Sequence, residues 1–151
     1  MMLPAATTQA LEETCHSLIP ISQAMGLRVD AYDGQRLRLS APLANNINHQ
    51  QSAFGGSLFS LSALAGWGIL QLKMTELGLD TNTVIAGGDV SYDKPVFGQL
   101  ICVCELPAGY TTFTEKLRER GKASLAMQTR IIVNDETAMT FSGKYVVLLT
   151  T

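Results

Sequence analysis

One long uncharged segment constrains this sequence more than any other feature. No Asp, Glu, Lys or Arg occurs between Arg38 and Lys73, and the residues from Phe54 to Leu72 are mostly apolar. A stretch of this length forms either a helix that crosses a bilayer or a helix that protein covers on every side. Serines, glycines and Gln71 lower its apolarity and no basic loop flanks it, so we expect a buried central helix rather than a membrane span.

Alternating apolar and polar residues predict strands on both sides of this helix. In residues 27–32 the apolar Leu27, Val29 and Ala31 alternate with a polar side formed by Arg28, Asp30 and Tyr32. Residues 36–41 follow after the turn pair Asp33-Gly34, which is typical of a hairpin. Four more strands are predicted after the helix, the first interrupted by a glycine pair: residues 83–92, 100–106, 123–131 and 139–147. The last two strands each have one apolar face, formed by Ala123, Leu125, Met127 and Ile131 in the first and by Met139, Phe141, Tyr145 and Val147 in the second. This order favours a single α+β domain over residues 1–151, in which a mostly antiparallel six-stranded sheet surrounds the long helix.

Two shorter helices complete the predicted elements. Thr7 or Thr8 is expected to cap a first helix that ends at Pro20 or, after a break, at Gly26. A short polar helix is expected over residues 112–120.

Composition and charge narrow the range of partners. Hydrophobic residues make up 46% of the 151 residues and charged residues only 16%, against about 25% charged in an average soluble domain. We therefore expect a buried surface between subunits. The net charge is −2 and no run of Lys or Arg occurs, so neither nucleic acid nor a membrane surface is an expected partner.

The cysteines and the N-terminus indicate a cytoplasmic protein. Cys15, Cys102 and Cys104 form neither an even set nor a C-x-x-C unit, which is typical of free thiols in a reducing compartment. Residues 1–6 contain no basic region and no apolar signal core. Two separated histidines without an acidic cluster give no expected metal site.

Three motifs resemble those of a known family: Phe54-Gly55-Gly56-Ser57-Leu58, Leu64-Ala65-Gly66-Trp67-Gly68, and Tyr92-Asp93-Lys94-Pro95-Val96. In this combination the chain resembles the hotdog-fold thioesterases first seen as the C-terminal domain of YiiD-type acetyltransferases. The resemblance implies hydrolysis of acyl-CoA or acyl-carrier-protein thioesters, with coenzyme A as part of the substrate and no separate cofactor. It also implies a homodimer, or a tetramer, with its sites where the central helices meet at the subunit interface.

The glycine pair explains how such a site would work. The start of a helix presents unpaired main-chain N–H groups and a partial positive charge. Gly55 and Gly56 bring these donors close to a thioester carbonyl with no side chain in the way, which would form an oxyanion hole. The alternative is that the glycines only allow a tight turn or close helix packing.

Better-characterised hotdog thioesterases carry the pattern N-x-x-G-x-x-H-G-G, and this chain is similar to it from Asn48 to Gly56. Asn48 falls on the amide that positions substrate or water in those enzymes; the alternative is a loop residue whose side chain bonds its own backbone. Phe54 replaces the motif histidine, and Ala63 stands where the acidic base or nucleophile is found. The usual base-assisted or covalent hydrolysis therefore does not carry over, and the catalytic base is unassigned.

Other polar residues are candidates for the missing role or for substrate binding. Ser57 and Asp89 are further catalytic candidates, with an end-of-helix hydrogen bond and a solvated position as their alternatives. Arg118, Arg120 and Lys122 could meet the phosphates of coenzyme A, or could form a solvated turn. The remaining candidates for substrate contacts are His49, Phe54, Ser62 and Tyr92. The alternatives are a solvated loop position for His49 and core packing for Tyr92.

Two rival functions are considered. Residues 118–123 match the loose R-x-x-G-x-A pattern of an acetyl-CoA-binding loop, but that loop must open a helix and these residues precede a predicted strand. A noncatalytic protein that binds acyl thioesters is the second rival, because Ala63 supplies no base. A dehydratase is disfavoured, since Phe54 occupies its usual histidine position.

Overall fold

Six antiparallel strands and one long helix form the body of the protein. The structure, a computed structural model, describes residues 5–150. In chain order the elements are α1 (Ala5–Leu18), α2 (Pro20–Ala24), β1 (Arg28–Tyr32), β2 (Arg36–Ala41), a 3₁₀ turn (Leu43–Asn46), α3 (Gly55–Glu76), β3 (Thr81–Tyr92), β4 (Leu100–Glu105), α4 (Tyr110–Arg120), β5 (Lys122–Val133) and β6 (Glu136–Leu149).

The sheet has the strand order β1-β2-β4-β5-β6-β3, and every neighbouring pair is antiparallel. The helix α3 packs against β2, β4, β5, β6 and β3. This is the hotdog arrangement that the family resemblance implies, and it confirms the predicted α+β class. Because β3 lies at an edge, one of its two sides has no partner strand within the described chain.

The helix α3 is the buried central helix that its lack of charge predicts. Leu61, Ala65, Ile69 and Leu70 have no exposed surface. A Cβ at Gly66 would collide with the ring of Tyr145, so the helix and β6 approach one another closely at this point. Within residues 5–150, no helix is long and apolar enough to span a membrane.

The predicted number of strands is confirmed, and so are the predicted inner faces of β5 and β6. The residues expected to share the inner side of β5 and β6 are buried: Ala123, Leu125, Met127, Ile131, Met139, Phe141, Tyr145 and Val147. The strand β3 is continuous through its glycine pair, with an irregularity in register between Ile85 and Gly87. Gly88 is required there, since a Cβ would lie 2.6 Å from Cε1 of Phe141.

Two local expectations were wrong. Thr7 and Thr8 lie inside α1, which already includes Ala5, so neither caps that helix. Alternation placed Tyr32 on the polar side of β1, but a shift in register between Val29 and Ala31 turns its side chain into the core. Pro20 begins α2 and so separates it from α1.

The three cysteines are buried free thiols. Burial, with a smaller contribution from the charge of Glu12, raises the pKa of Cys15 to about 11. Burial also raises the pKa of Cys102 to about 12 and the pKa of Cys104 above its usual range. All three are therefore neutral near pH 7 and are poor nucleophiles.

Candidate active site at the start of α3

The chain enters α3 with two main-chain donors unused. The N–H of Ala53 donates to Val96 O (2.8 Å) and the N–H of Phe54 donates to Asn46 O (2.7 Å), which fixes the extended segment before the helix. No side chain caps the helix start, and its first turn holds no acidic residue. Among the described residues, none accepts a hydrogen bond from the N–H of Gly55 or of Gly56. Two donors at the positive end of a 22-residue helix are thus left for a ligand.

Two aromatic rings stand beside the two glycines. The Oη of Tyr92 donates to the carbonyl oxygen of Gly55 (2.9 Å). A Cβ at Gly55 would be in ordinary contact with the Tyr92 ring at 3.5 Å, whereas a Cβ at Gly56 would lie 2.5 Å from Cε2 of Phe54. Close packing therefore accounts for the glycine at position 56, but it does not account for the glycine at position 55.

A cavity of about 340 Å³ adjoins this helix start. It lies between α2 and α3, and Phe54 and Gly56 both belong to its wall. Its other lining residues are Ile21, Ala24, Met25, Asn45, Asn46, Ser57 and Ser60.

Asn48 shapes the loop that leads to the helix. Its Oδ1 accepts from the N–H groups of Gln50 (2.8 Å) and Ser52 (3.1 Å). Its Nδ2 donates to Ser52 Oγ (2.9 Å) and lies 3.5 Å from Ala53 O. These bonds close a turn in which Gln51 adopts a φ of 65°. In the isolated chain, the Asn48 amide is thus engaged within its own loop, next to His49, which is exposed.

The structure brings some of the predicted site residues together and separates others. Gly55, Gly56, Phe54, Ser57 and Tyr92 cluster at the helix start.

Ser62 lies away from that cluster, in the core. It is fully buried, and its Oγ is 3.8 Å from Cys102 Sγ and 4.0 Å from Met139 Sδ. The hydroxyl is therefore turned toward two sulfur atoms of the sheet. Next to it on α3, the carbonyl oxygen of Ala63 accepts a 2.8 Å hydrogen bond from Tyr145 Oη.

Asp89 and the basic cluster are also remote within one chain. Asp89 pairs with Ser142 of β6, which is exposed. The preceding residue, Gly88, lies against the buried ring of Phe141 and so faces the inner side of the sheet. Asp89 therefore lies on the side of the sheet opposite α3.

Arg120 and Lys122 are exposed at the far end of the sheet from the helix start. Lys122 pairs with Leu148, and Tyr92 pairs with Met139. These two β6 positions are nine residues apart, which at about 3.3 Å per residue is roughly 30 Å.

Sequence reasoning missed Asn46, which joins three parts of the site. Its Nδ2 donates to Met25 O (3.0 Å), just beyond α2, and to Pro42 O (2.8 Å). Its main-chain oxygen accepts a hydrogen bond from the N–H of Phe54. The residue is only 3% exposed, and its Oδ1 has no hydrogen-bond donor among the described residues. A sequence signal existed in the Asn45-Asn46 pair, but it does not tell which of several nearby asparagines is buried.

A hotdog sheet around a buried helix, with free donors at the helix start, defines a thioesterase-like class of protein. The chain belongs to the family described as putative thioesterase (yiiD_Cterm), whose model matches residues 8–149.

Several solved structures share this fold. A protein of unknown function from Chlorobaculum tepidum is 32% identical, with 97% of each chain covered and a TM-score of 0.91. A putative thioesterase from Shewanella oneidensis is 29% identical over 96% of this chain and 99% of its own, with a TM-score of 0.88. The PaaI protein of the Escherichia coli phenylacetic acid degradation operon shares the fold at 15% identity, with 97% of this chain and 96% of its own covered and a TM-score of 0.65.

Proposed function

We propose that this protein hydrolyses acyl thioesters of coenzyme A or of acyl-carrier protein at the start of α3. The observation that carries the proposal is the pair of N–H groups at Gly55 and Gly56, which have no acceptor in the described chain and adjoin a cavity. Family membership supports thioesterase activity in general.

The reaction needs stabilisation of one negative charge. Water adds to the thioester carbonyl and gives one proton to solvent, and the carbonyl oxygen that becomes negative receives hydrogen bonds from the two glycine N–H groups. The tetrahedral intermediate collapses, the C–S bond breaks, and the departing thiolate takes up a proton from solvent, so that the products are a thiol and a carboxylic acid, which ionises to the carboxylate. A thiol with a pKa near 8.5 leaves readily as a thiolate, so the leaving group requires little help from an acid.

The residues at the usual base positions supply no proton acceptor. Phe54 and Ala63 are apolar, and the Ala63 carbonyl is bonded to Tyr145. We assign no base within one chain. The candidates left at the helix start are the hydroxyls of Ser57 and Tyr92, with His49 on the approach loop.

We further infer that the active form is a homodimer joined along β3. This edge strand has twelve residues, and two of its apolar side chains, Val84 (54%) and Ile85 (40%), are exposed. Long, exposed apolar edges pair readily with another chain. Such pairing would place both central helices on the same side of one continuous sheet, with the partner's Asp89 on the opposite side. The exposed Arg120 and Lys122 of the partner would remain candidate contacts. Buried free thiols fit a reducing, cytoplasmic location.

A noncatalytic binding protein is the second candidate, because the described chain offers donors without a base. An acetyltransferase is disfavoured by the local structure: Gly121 ends α4 with a φ of 76°, and Lys122 begins β5. The R-x-x-G-x-A pattern thus lies at a helix C-terminus, whose partial charge repels phosphate.

The test is thiol release from a panel of acyl-CoA thioesters, from acetyl to palmitoyl with aromatic acyl groups added, in the absence of any acceptor. Saturable release from at least one thioester is expected. Binding of a nonhydrolysable acyl-CoA analogue without release from any CoA or carrier-protein thioester would favour the binding protein. In a second assay with amine acceptors added, faster transfer to amines than to water would favour the acetyltransferase.

A further inference from the structure

Asn46 connects α2 to the segment that enters α3. Its side chain is buried, and its Nδ2 donates to the carbonyl oxygen of Met25 (3.0 Å), which follows α2 directly, and to Pro42 O (2.8 Å). The main-chain oxygen of Asn46 accepts a 2.7 Å hydrogen bond from the N–H of Phe54. Because the two side-chain bonds fix where Asn46 lies, they also fix the position of the acceptor that holds Phe54.

This anchor lies one peptide group before the donor of Gly55. The carbonyl of Phe54 and the N–H of Gly55 belong to the same peptide group, which is planar. That carbonyl oxygen accepts hydrogen bonds from the N–H groups of Ser57 (2.9 Å) and Leu58 (3.1 Å) in the first turn of α3. The helix therefore holds one side of Phe54 and Asn46 holds the other, so the direction of the Gly55 N–H depends on both.

The neighbouring asparagine makes a contact of the same kind in water. Asn45 is exposed, and its Nδ2 donates to Ala24 O at 3.2 Å. Both asparagines thus supply donors at the C-terminal end of α2, where main-chain acceptors lack helical partners. Water can replace the Asn45 donor, whereas the loss of the Asn46 amide would leave carbonyl oxygens in a buried place without it.

We propose that Asn46 is a positioning residue for the oxyanion donors: it anchors Phe54 to α2 and so holds the N–H of Gly55 in the direction that the reaction needs. This inference rests on the proposed thioesterase site. Asn46 acts through Phe54 and not by contact with the substrate. Donors that are already aimed at the developing charge lower the barrier of the chemical step, so a loosened anchor should slow that step.

Three alanine substitutions separate this role from a general loss of stability. Asn46→Ala removes both donor bonds of the buried amide, and Asn45→Ala removes the exposed bond of the adjacent residue. Leu117→Ala truncates a fully buried side chain of α4, which ends next to Lys122 at the far end of the sheet, and so destabilises the protein away from the site. Circular dichroism and thermal unfolding show whether each variant is folded. Asn46→Ser, whose hydroxyl retains one donor, replaces Asn46→Ala if the alanine variant does not fold.

Steady-state kinetics of the full-length protein use the acyl-CoA thioester with the highest kcat/KM in the thiol-release panel. Asn46→Ala should lower kcat at least about tenfold and change KM less than about threefold, because the weakened interaction acts in the transition state. For Asn45→Ala and Leu117→Ala, kcat should stay within about threefold of the wild type. A kcat that falls no further in Asn46→Ala than in Leu117→Ala, or a change confined to KM, would overturn the proposal.

Hydrogen exchange tests the anchor without turnover. By NMR, the amide N–H of Phe54 should exchange at least about tenfold faster in Asn46→Ala than in the wild type or in Asn45→Ala, because its acceptor is no longer held in place. If the wild type hydrolyses no thioester, the proposed function fails, and the exchange rate still tests the anchor. Unchanged exchange of the Phe54 amide in Asn46→Ala would contradict the anchor even in an active enzyme.

Discussion

Tyr92 Oη donates a 2.9 Å hydrogen bond to the main-chain oxygen of Gly55 and so joins the end of β3 to the start of α3. The tyrosine is 54% exposed, so this bond orients the helix start more than it stabilises the fold. Since β3 is also the sheet edge, the contact couples the position of the glycine donors to any partner strand that pairs there.

Tyr92→Phe should therefore affect activity more than stability. The ring keeps its contact with Gly55, and the loss of one partly exposed hydrogen bond should lower the free energy of unfolding by no more than about 1 kcal/mol. We expect kcat for thioester hydrolysis to fall about three- to tenfold, because the oxyanion donors lose part of their orientation. Steady-state kinetics measures kcat, and urea unfolding measures the free energy of unfolding. An unchanged kcat would show that the hydrogen bond does not help to orient the glycine donors.

Gly66→Ala should destabilise the protein, because the new Cβ would collide with the Tyr145 ring in the core. Overpacking of this kind typically costs about 1–3 kcal/mol. Gly68→Ala is the matched control on the same helix, since its Cβ would lie 3.2 Å from the flexible end of Leu37. In urea unfolding, the free energy of unfolding should be clearly lower for Gly66→Ala than for Gly68→Ala. Equal values would contradict the close approach of α3 and β6.

Val84→Lys should weaken the proposed dimer. Val84 is an exposed apolar residue of the edge strand, and a lysine there would lose water when β3 pairs with a partner strand, which opposes association. Leu18→Lys, at a 68% exposed position on α1, serves as the control. Sedimentation should show at least a tenfold rise in the dimer Kd for Val84→Lys alone. A dimer that is insensitive to both changes would lie elsewhere on the surface.

Stability should fall as pH rises above about 9. Burial raises the pKa of Cys102 to about 12 in the folded chain, whereas an exposed thiol in the unfolded chain ionises near 8.5. As pH rises, the thiol therefore loses its proton in the unfolded chain first. Between these two pKa values, each buried thiol lowers the free energy of unfolding by up to about 1.4 kcal/mol per pH unit. Below pH 8 the effect is absent. Urea unfolding between pH 8 and 11 should show a shallower decline for Cys102→Ala than for the wild type, and parallel declines would contradict this assignment.

Much of the fold follows from local patterns in the sequence. Alternation identified the inner faces of β5 and β6, and the absence of charge identified α3, because burial selects the same residue types wherever it occurs. The inward turn of Tyr32 depends on a shift in register between β1 and β2, which a pattern of period two does not contain. In the sequence, the only sign that α1 and α2 are separate helices is Pro20, which begins α2.

The site was less predictable, because it depends on distances between separate elements. The glycine pair at the helix start was evident from helix physics and from the family resemblance. The burial of Asn46, and the engagement of Asn48 in its own turn, follow from how the loop packs on α2. The separation of Lys122 from Tyr92 follows from the register of β5, β6 and β3, and no sequence pattern reports that register.

The central claim is that the main-chain N–H of Gly55 stabilises the oxyanion, and Gly55→Pro tests it most directly. Proline is well tolerated at the first position of a helix and removes only the N–H. Phe54, the preceding residue, already has the extended conformation that proline requires, with φ −63° and ψ 130°. Gly55→Ala is the control, because it keeps the donor and its Cβ would make ordinary contact with Tyr92.

The decisive measurement is thiol release from the best acyl-CoA substrate by the wild type and these two variants. We expect Gly55→Ala to stay within about fivefold of the wild type, and Gly55→Pro to lose about 10²–10³ in kcat while remaining folded. Wild-type turnover in a folded Gly55→Pro variant would contradict the oxyanion role of Gly55.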